Sequence, residues 1–262
     1  MAADARLTDV IERITDALRT FVVDMDLSQD EWTNALAFLT DVGRADEFIL
    51  LSDVLGLSVF VNERAHPSDD ATTASNVQGP FYLPDAPLLE APHRLAEDDE
   101  PGEPLVFAGR VSDADTGSAL AGALLEVWQA GDDAAYDLQT PGVEPHLRGR
   151  FPAGSDGGFE LRTIVPPPYE IPKDGPVGRL LEASGRHAWR PAHLHLKVSH
   201  AGYEQLTTMI YFEGDPWLDS DTIGSVKAPL VVVLDRRAAD ERCHQPYALC
   251  TFDIRLRPVA TA

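Results

Sequence analysis

The chain has 262 residues with ordinary apolar (44%) and charged (24%) fractions, but 43 acidic against 21 basic residues give a formal charge of −22. A surface this acidic repels phosphate backbones, so nucleic acid is excluded as a partner. No apolar run is long enough to span a bilayer, the start MAADARLTDV lacks a basic-then-apolar leader pattern, and two cysteines, Cys243 and Cys250, cannot build a disulfide framework. A cytoplasmic protein with reduced thiols is the expectation.

In chain order, Val10, Ile11, Ile14, Leu18 and Phe21 recur at helical spacing. A second helix is predicted from Ser28, whose hydroxyl can cap it with Glu31 completing a capping box, and Trp32, Ala35, Phe38 and Leu39 carry its apolar face. A third is predicted over Phe48 to Val61. It is apolar on nearly every side, so it needs cover from other layers or another subunit. Pro, Asp and Ala then dominate from Pro67 to Pro104, the composition of an extended wrapping segment. From Leu105 on, short β-type runs (LVFAGRV, ALLEVWQA, GFELRTIV, HLHLKVS, TTMIYFEG, APLVVVLD) alternate with Gly, Asp and Pro turns. The expected fold is mainly β. A helical N-terminal region, residues 1–75, feeds a C-terminal β-sandwich, residues 76–262.

The sharpest chemical signal is RPAHLHLKVS. Side chains alternate faces along a strand, so His193 and His195 point the same way and can share a metal ion. A cupin-type site would want a carboxylate four residues on, where Ser199 stands. No Asp or Glu occurs between Glu182 and Glu204. Tyr136 in GDDAAYDLQ and Tyr169 in IVPPPYEIP are ordinary aromatics if taken singly, yet a phenolate suits a hard ion such as Fe(III). Arg190, three residues before His193, reads either as a cation beside the metal or as an edge arginine lying over the sandwich.

Taken together, NVQGPFY, DADTGSALAGALLEVWQA, YDLQ, LRGRF, TIVPPPYEIPKDGPVG, GRHAWRPAHLHL and FEGDPWLDSD resemble, in order, the blocks of the intradiol dioxygenases acting on catechol, chlorocatechol and hydroxyquinol. FILLSDVLGLSVFV resembles their helical dimer-forming region. The resemblance implies one Fe(III) per subunit, held by Tyr136, Tyr169, His193 and His195, and cleavage of an aromatic diol with O2 between its hydroxyls. Tyr169 would leave the metal and take a substrate proton, while Arg190 would stabilise the negative ring. Val77, Gly79, Pro80 and Phe81 match substrate-pocket positions, as do Ile171, Pro172, Ile223 and Met209. Family members are homodimers through their N-terminal helices, and many hold a lipid-like ligand there.

The branch is left open. YDLQTPGVEPHLRGRF and GDPWLDSDTIGSVKAPL resemble hydroxyquinol enzymes, whereas NVQGPFYLPDAPLL and EDDEPGEPLVFAGRV resemble catechol and chlorocatechol enzymes. Met209 stands where those branches carry Gln or His, replacing a hydrogen-bond donor by a thioether. Asn62 falls near where hydroxyquinol enzymes place an Asp close to the third hydroxyl. Three rivals are weighed. A non-catalytic transthyretin-like module has no use for two tyrosines with His-x-His. Two-chain protocatechuate enzymes lack the helical N-terminal region. Extradiol enzymes use two His and a carboxylate on Fe(II).

Overall fold

A computed structural model describes residues 4–67, 69–140 and 142–259. The chain divides into two compact units, Met1–Phe48 and Ile49–Ala262. The first contains α1 (Ala5–Asp24) and α2 (Gln29–Arg44). The Asp4 side chain caps α1 by accepting from the Arg6 and Leu7 amides, and α2 begins on the expected Ser28–Glu31 capping box. The apolar stripe of α1 (Val10, Ile11, Ile14, Leu18, Phe21) is exposed along its whole length.

The expected third helix is in fact two, α3 (Phe48–Val54) and α4 (Leu57–Ala65). The break falls at Gly56, whose φ of 71° lies in the left-handed region that favours glycine; its amide donates to the Asp53 carbonyl. A single apolar tally over 48–61 hides that break, and it splits the faces. Leu51, Val54 and Val59 are buried, while Phe48, Ile49, Leu55, Leu57, Phe60 and Val61 are exposed.

Residues 69–103 run as an extended strap without long strands. They are tied down by bridges such as Leu88 to Arg150 and Arg94 to Arg162. Next come β1 (Pro104–Asp113), β2 (Leu124–Trp128), β3 (Arg148–Pro152), β4 (Gly158–Ile164), β5 (Tyr169–Glu170), α5 (Pro176–Ala183), β6 (Trp189–Arg190), β7 (His193–Ser199) and β8 (Leu206–Phe212). The short β9 (Val231–Val232) and β10 (Asp235–Arg237) precede β11 (Tyr247–Thr251) and β12 (Ile254–Leu256). The run APLVVVLD gives a 3-10 turn at Ala228–Leu230 and only the two-residue β9, less strand than its composition suggests.

Two five-stranded mixed sheets result, one ordered β3-β2-β7-β8-β9, the other β10-β11-β1-β12 with β4 also on β1. β5 and β6 form a separate two-stranded ladder. In β1 the first half pairs in parallel with β11 and the second half with β12, while β4 lines its other edge. β7 is central in its sheet and reads buried at nearly every position, as a strand covered on both faces should. Leu125, Val127, Leu194, Leu196, Val198 and Ile210 are fully buried there, the core on which the site stands. Cys243 and Cys250 are buried free thiols. Among the described residues, no helix is long and apolar enough to cross a membrane.

Candidate active site

The β7 register carries the two histidines to one side. His193 pairs with Tyr211 across to β8, and His195 sits between Met209 of β8 and Trp128 of β2. The β5–β6 ladder pairs Tyr169 with Arg190 directly. Tyr136 is set by the turn after it, where Gln139 Oε1 accepts from its amide. Three separate pieces of chain therefore bring two phenols, two imidazoles and a guanidinium together, all of them buried.

The spacings are short. His193 Nε2 lies 3.1 Å from His195 Nε2, 3.4 Å from Tyr136 Oη and 3.3 Å from Arg190 Nη1. Arg190 Nη1 also donates to Tyr169 Oη at 3.3 Å. The Pro191 carbonyl, 2.7 Å from His193 Nδ1, can only accept, so Nδ1 carries the proton and Nε2 presents a bare lone pair to the cluster. His195 stacks flat on Trp128 (4.8 Å, 7°), and its Nδ1 is buried without a hydrogen-bond partner. Gly79 comes so close that a Cβ there would stand 3.2 Å from His195 Cε1, and its φ of 71° again suits glycine. Phe81 stacks on Tyr136 at 4.5 Å.

The electrostatics favour neutral imidazoles. Burial, then the nearby Arg190 charge, pushes His193 down to about 3, and burial with His193 beside it depresses His195 strongly. Burial, reinforced by Tyr169, holds the Tyr136 phenol well above its ordinary value. Burial works against the Arg190 charge, but Asp221 and the surrounding phenols keep it firmly protonated. Two ligand-ready imidazoles and two phenols thus face a common point. The described residues contain no group of three or more His, Cys, Asp or Glu that could hold a metal ion. The buried carboxylate beside Arg190, Asp221, is engaged by that arginine and by Ser225. This donor set fits a hard, highly charged cation that can ionise phenols; it does not fit a two-histidine, one-carboxylate Fe(II) centre.

The family model described as "Dioxygenase" matches residues 77–258, and that described as "Catechol dioxygenase N terminus" matches residues 4–73. The chain belongs to the intradiol ring-cleavage dioxygenases. A hydroxyquinol 1,2-dioxygenase of Rhizobium sp. (strain MTP-10005) is 39% identical over 92% of this chain and 84% of its own. A chlorocatechol 1,2-dioxygenase of Rhodococcus opacus is 37% identical over 89% of this chain and 92% of its own. The crystal structure of hydroxyquinol 1,2-dioxygenase from Pseudomonas putida DLL-E4 superposes with a TM-score of 0.92 at 36% identity, covering 99% of this chain and 94% of that one.

Within this intradiol dioxygenase, the remaining expected pocket residues divide. Val77, Ile171, Met209 and Ile223 are buried, whereas Pro80 and Pro172 are exposed. Asn62 is committed elsewhere: its amide donates to the Asn76 carbonyl and its oxygen accepts from Ser75. The buried carboxyl of that layer is Asp53 on α3, close enough to Arg190 and Asp221 to feel both charges. Burial raises its pKa.

Sequence reasoning also passed over Asp221, Ser225 and Tyr211, and the buried Arg148–Asp137 pair. Arg148 holds Asp137, next to Tyr136, and donates to the Phe81 carbonyl at 2.8 Å. A charge pair buried on both sides was the available signal, but pairing is invisible until the strands are placed.

Proposed function

We propose that this enzyme is a non-haem Fe(III) intradiol dioxygenase whose iron is held by Tyr136, Tyr169, His193 and His195. The observation that carries the reading is the convergence of two phenol oxygens and two imidazole Nε2 atoms beside a buried, permanently charged arginine. Bound ferric iron would supply a hard positive centre that ionises the phenols, chelates the diol and draws electron density from its ring. His193 stays oriented through its Nδ1–H to Pro191. Held as a phenolate by the metal, Tyr169 would accept a diol proton at Oη and become a neutral phenol, while the Arg190 guanidinium, which does not titrate, faces the negative charge on the ring. Trp128, Gly79 and Phe81 pack against the His195 and Tyr136 rings and keep water away from them.

For the substrate we favour a trihydroxylated ring of the hydroxyquinol type over a simple catechol. Asp53 supports this: it is a buried carboxyl near Arg190 that Ser58 engages but that retains acceptor capacity for a further hydroxyl, whereas both polar atoms of Asn62 are paired. We further infer that the two five-stranded sheets form a β-sandwich catalytic domain over about residues 76–262. The exposed apolar residues of α1, α3 and α4 are then the faces of a homodimer and of its lipid ligand, in a cytoplasmic enzyme.

The test is the visible spectrum of the protein loaded with ferric iron, followed by anaerobic addition of catechol and then hydroxyquinol. A broad phenolate-to-iron band that shifts on diol addition, more strongly with hydroxyquinol, is expected. A protein that stays colourless with ferric iron supplied contradicts the ligand assignment.

A further inference from the structure

Arg190 spends all five of its N–H groups. Nε donates to Asp221 Oδ1 (3.1 Å), and Nη1 faces Tyr169 Oη and His193 Nε2. Nη2 has two acceptors of unequal quality, Ser225 Oγ at 2.7 Å and the Met209 thioether at 3.5 Å. Sulfur accepts weakly, and the Tyr211 oxygen crowds it at 3.1 Å while its single proton has the better acceptor in Ser225.

Ser225 therefore carries the strong contact. It is fully buried, and its hydroxyl is saturated. The proton goes to Asp221 Oδ2 at 2.6 Å, leaving the oxygen's lone pairs for Arg190 and for Tyr211, 2.8 Å distant. The turn that presents it is built for the purpose. Gly224, at φ 65°, closes back onto the Asp221 carbonyl, and the Ser225 amide also donates to Asp221 Oδ2 at 2.9 Å. Asn76 braces the far side through the Ser225 carbonyl and the Tyr211 oxygen.

We propose that Ser225 is the positioning residue for Arg190: it supplies the polar partner that Met209 cannot, and fixes the guanidinium plane against Tyr169 and His193. Asp221 alone holds one edge of the guanidinium at Nε; a second fixed acceptor at Nη2 removes the remaining rotation. This rests on the intradiol role proposed for Arg190. Since Arg190 meets charge that develops on the ring, misalignment should lower turnover more than substrate binding.

The test is a four-way comparison of iron-loaded parent, Ser225→Ala, Met209→Gln and the double variant, in ring cleavage and in crystal structures. Ser225→Ala is expected to lower kcat by about tenfold or more while KM stays within about threefold. The double variant should recover most of that loss, because a glutamine carbonyl accepts from Nη2 far more strongly than sulfur does. In the crystals, the guanidinium should swing from Tyr169 in Ser225→Ala and return in the double variant. A Ser225→Ala enzyme within about twofold of the parent, or a loss that Met209→Gln does not repair, overturns the proposal. So does a guanidinium unmoved in Ser225→Ala, and this structural readout stands even if the parent cleaves no diol, which would count against the iron assignment instead.

Discussion

The N-terminal helices and the β7–β8 region are both strongly apolar in sequence, yet they end in opposite states. Leu194 and Leu196 of β7 are fully buried, while Leu18 of α1, equally apolar, is 46% exposed, and no residue of α1 is buried. Strand register gives each β7 side chain a definite neighbour on two flanking strands. A helical stripe specifies only that something must cover it. The sheet region thus contains its own explanation, whereas the exposed stripe of α1 names no neighbour of its own.

The largest effect belongs to the buried cluster. Tyr136→Phe removes one oxygen from a side chain already in the core, so stability should hold while ring cleavage falls by more than about a hundredfold. Thermal melts and oxygen uptake on the same samples separate the two, and a fall in both together would blur the distinction drawn between site and core. Next is the Arg148–Asp137 pair. Arg148→Ala strands a buried carboxylate and should cost about 3–5 kcal/mol in denaturant unfolding, with the Tyr136 turn loosened as a consequence. A cost under about 1 kcal/mol would mean that Asp137 finds water instead.

Paired truncations separate the sheet core from the helical face. Leu125→Ala, in a fully buried β2 position, should lose about 2–5 kcal/mol. Leu18→Ala should change unfolding of a dilute monomer by less than about 0.5 kcal/mol. If a second copy covers α1, Leu18→Asp should lower the mass seen by light scattering without harming the sheets. An unchanged mass would point to another cover.

The smallest expected effect is electrostatic. Burial raises the folded-state pKa of Asp53, so its stabilising contribution is complete below the unfolded carboxyl value near 4 and is lost as pH rises through the folded value. Asp53→Asn should therefore raise Tm relative to the parent more at pH 8 than at pH 4, while weakening any preference for a third hydroxyl. A Tm difference that does not vary with pH would show that burial does not raise the Asp53 pKa in the folded protein.

How much was legible in the sequence follows the same division. His193 and His195 could be read because strand alternation is local, and Tyr136, Tyr169 and Arg190 because long blocks surround them. Ser28 and Glu31 announced their helix start through a local hydrogen-bond rule that the structure keeps. The break at Gly56 was missed because apolar content outweighed one glycine. Ser225 was not legible at all: it meets Arg190 across 35 residues through a turn whose geometry exists only once β6 and β8 are in place. Asp53 was not singled out beside Asn62 because both lie in the same helical stretch, and only burial and bonding tell them apart.

The central claim is tested most directly by ring cleavage itself. The iron-loaded enzyme is given hydroxyquinol and catechol in turn under 18O2, and the products are identified by mass spectrometry and NMR. The account predicts an acyclic dicarboxylic product opened between the two hydroxyls with both labelled oxygen atoms incorporated, formed faster from hydroxyquinol. A yellow semialdehyde from cleavage outside the diol, or no oxygen uptake by a fully iron-loaded protein, would contradict it.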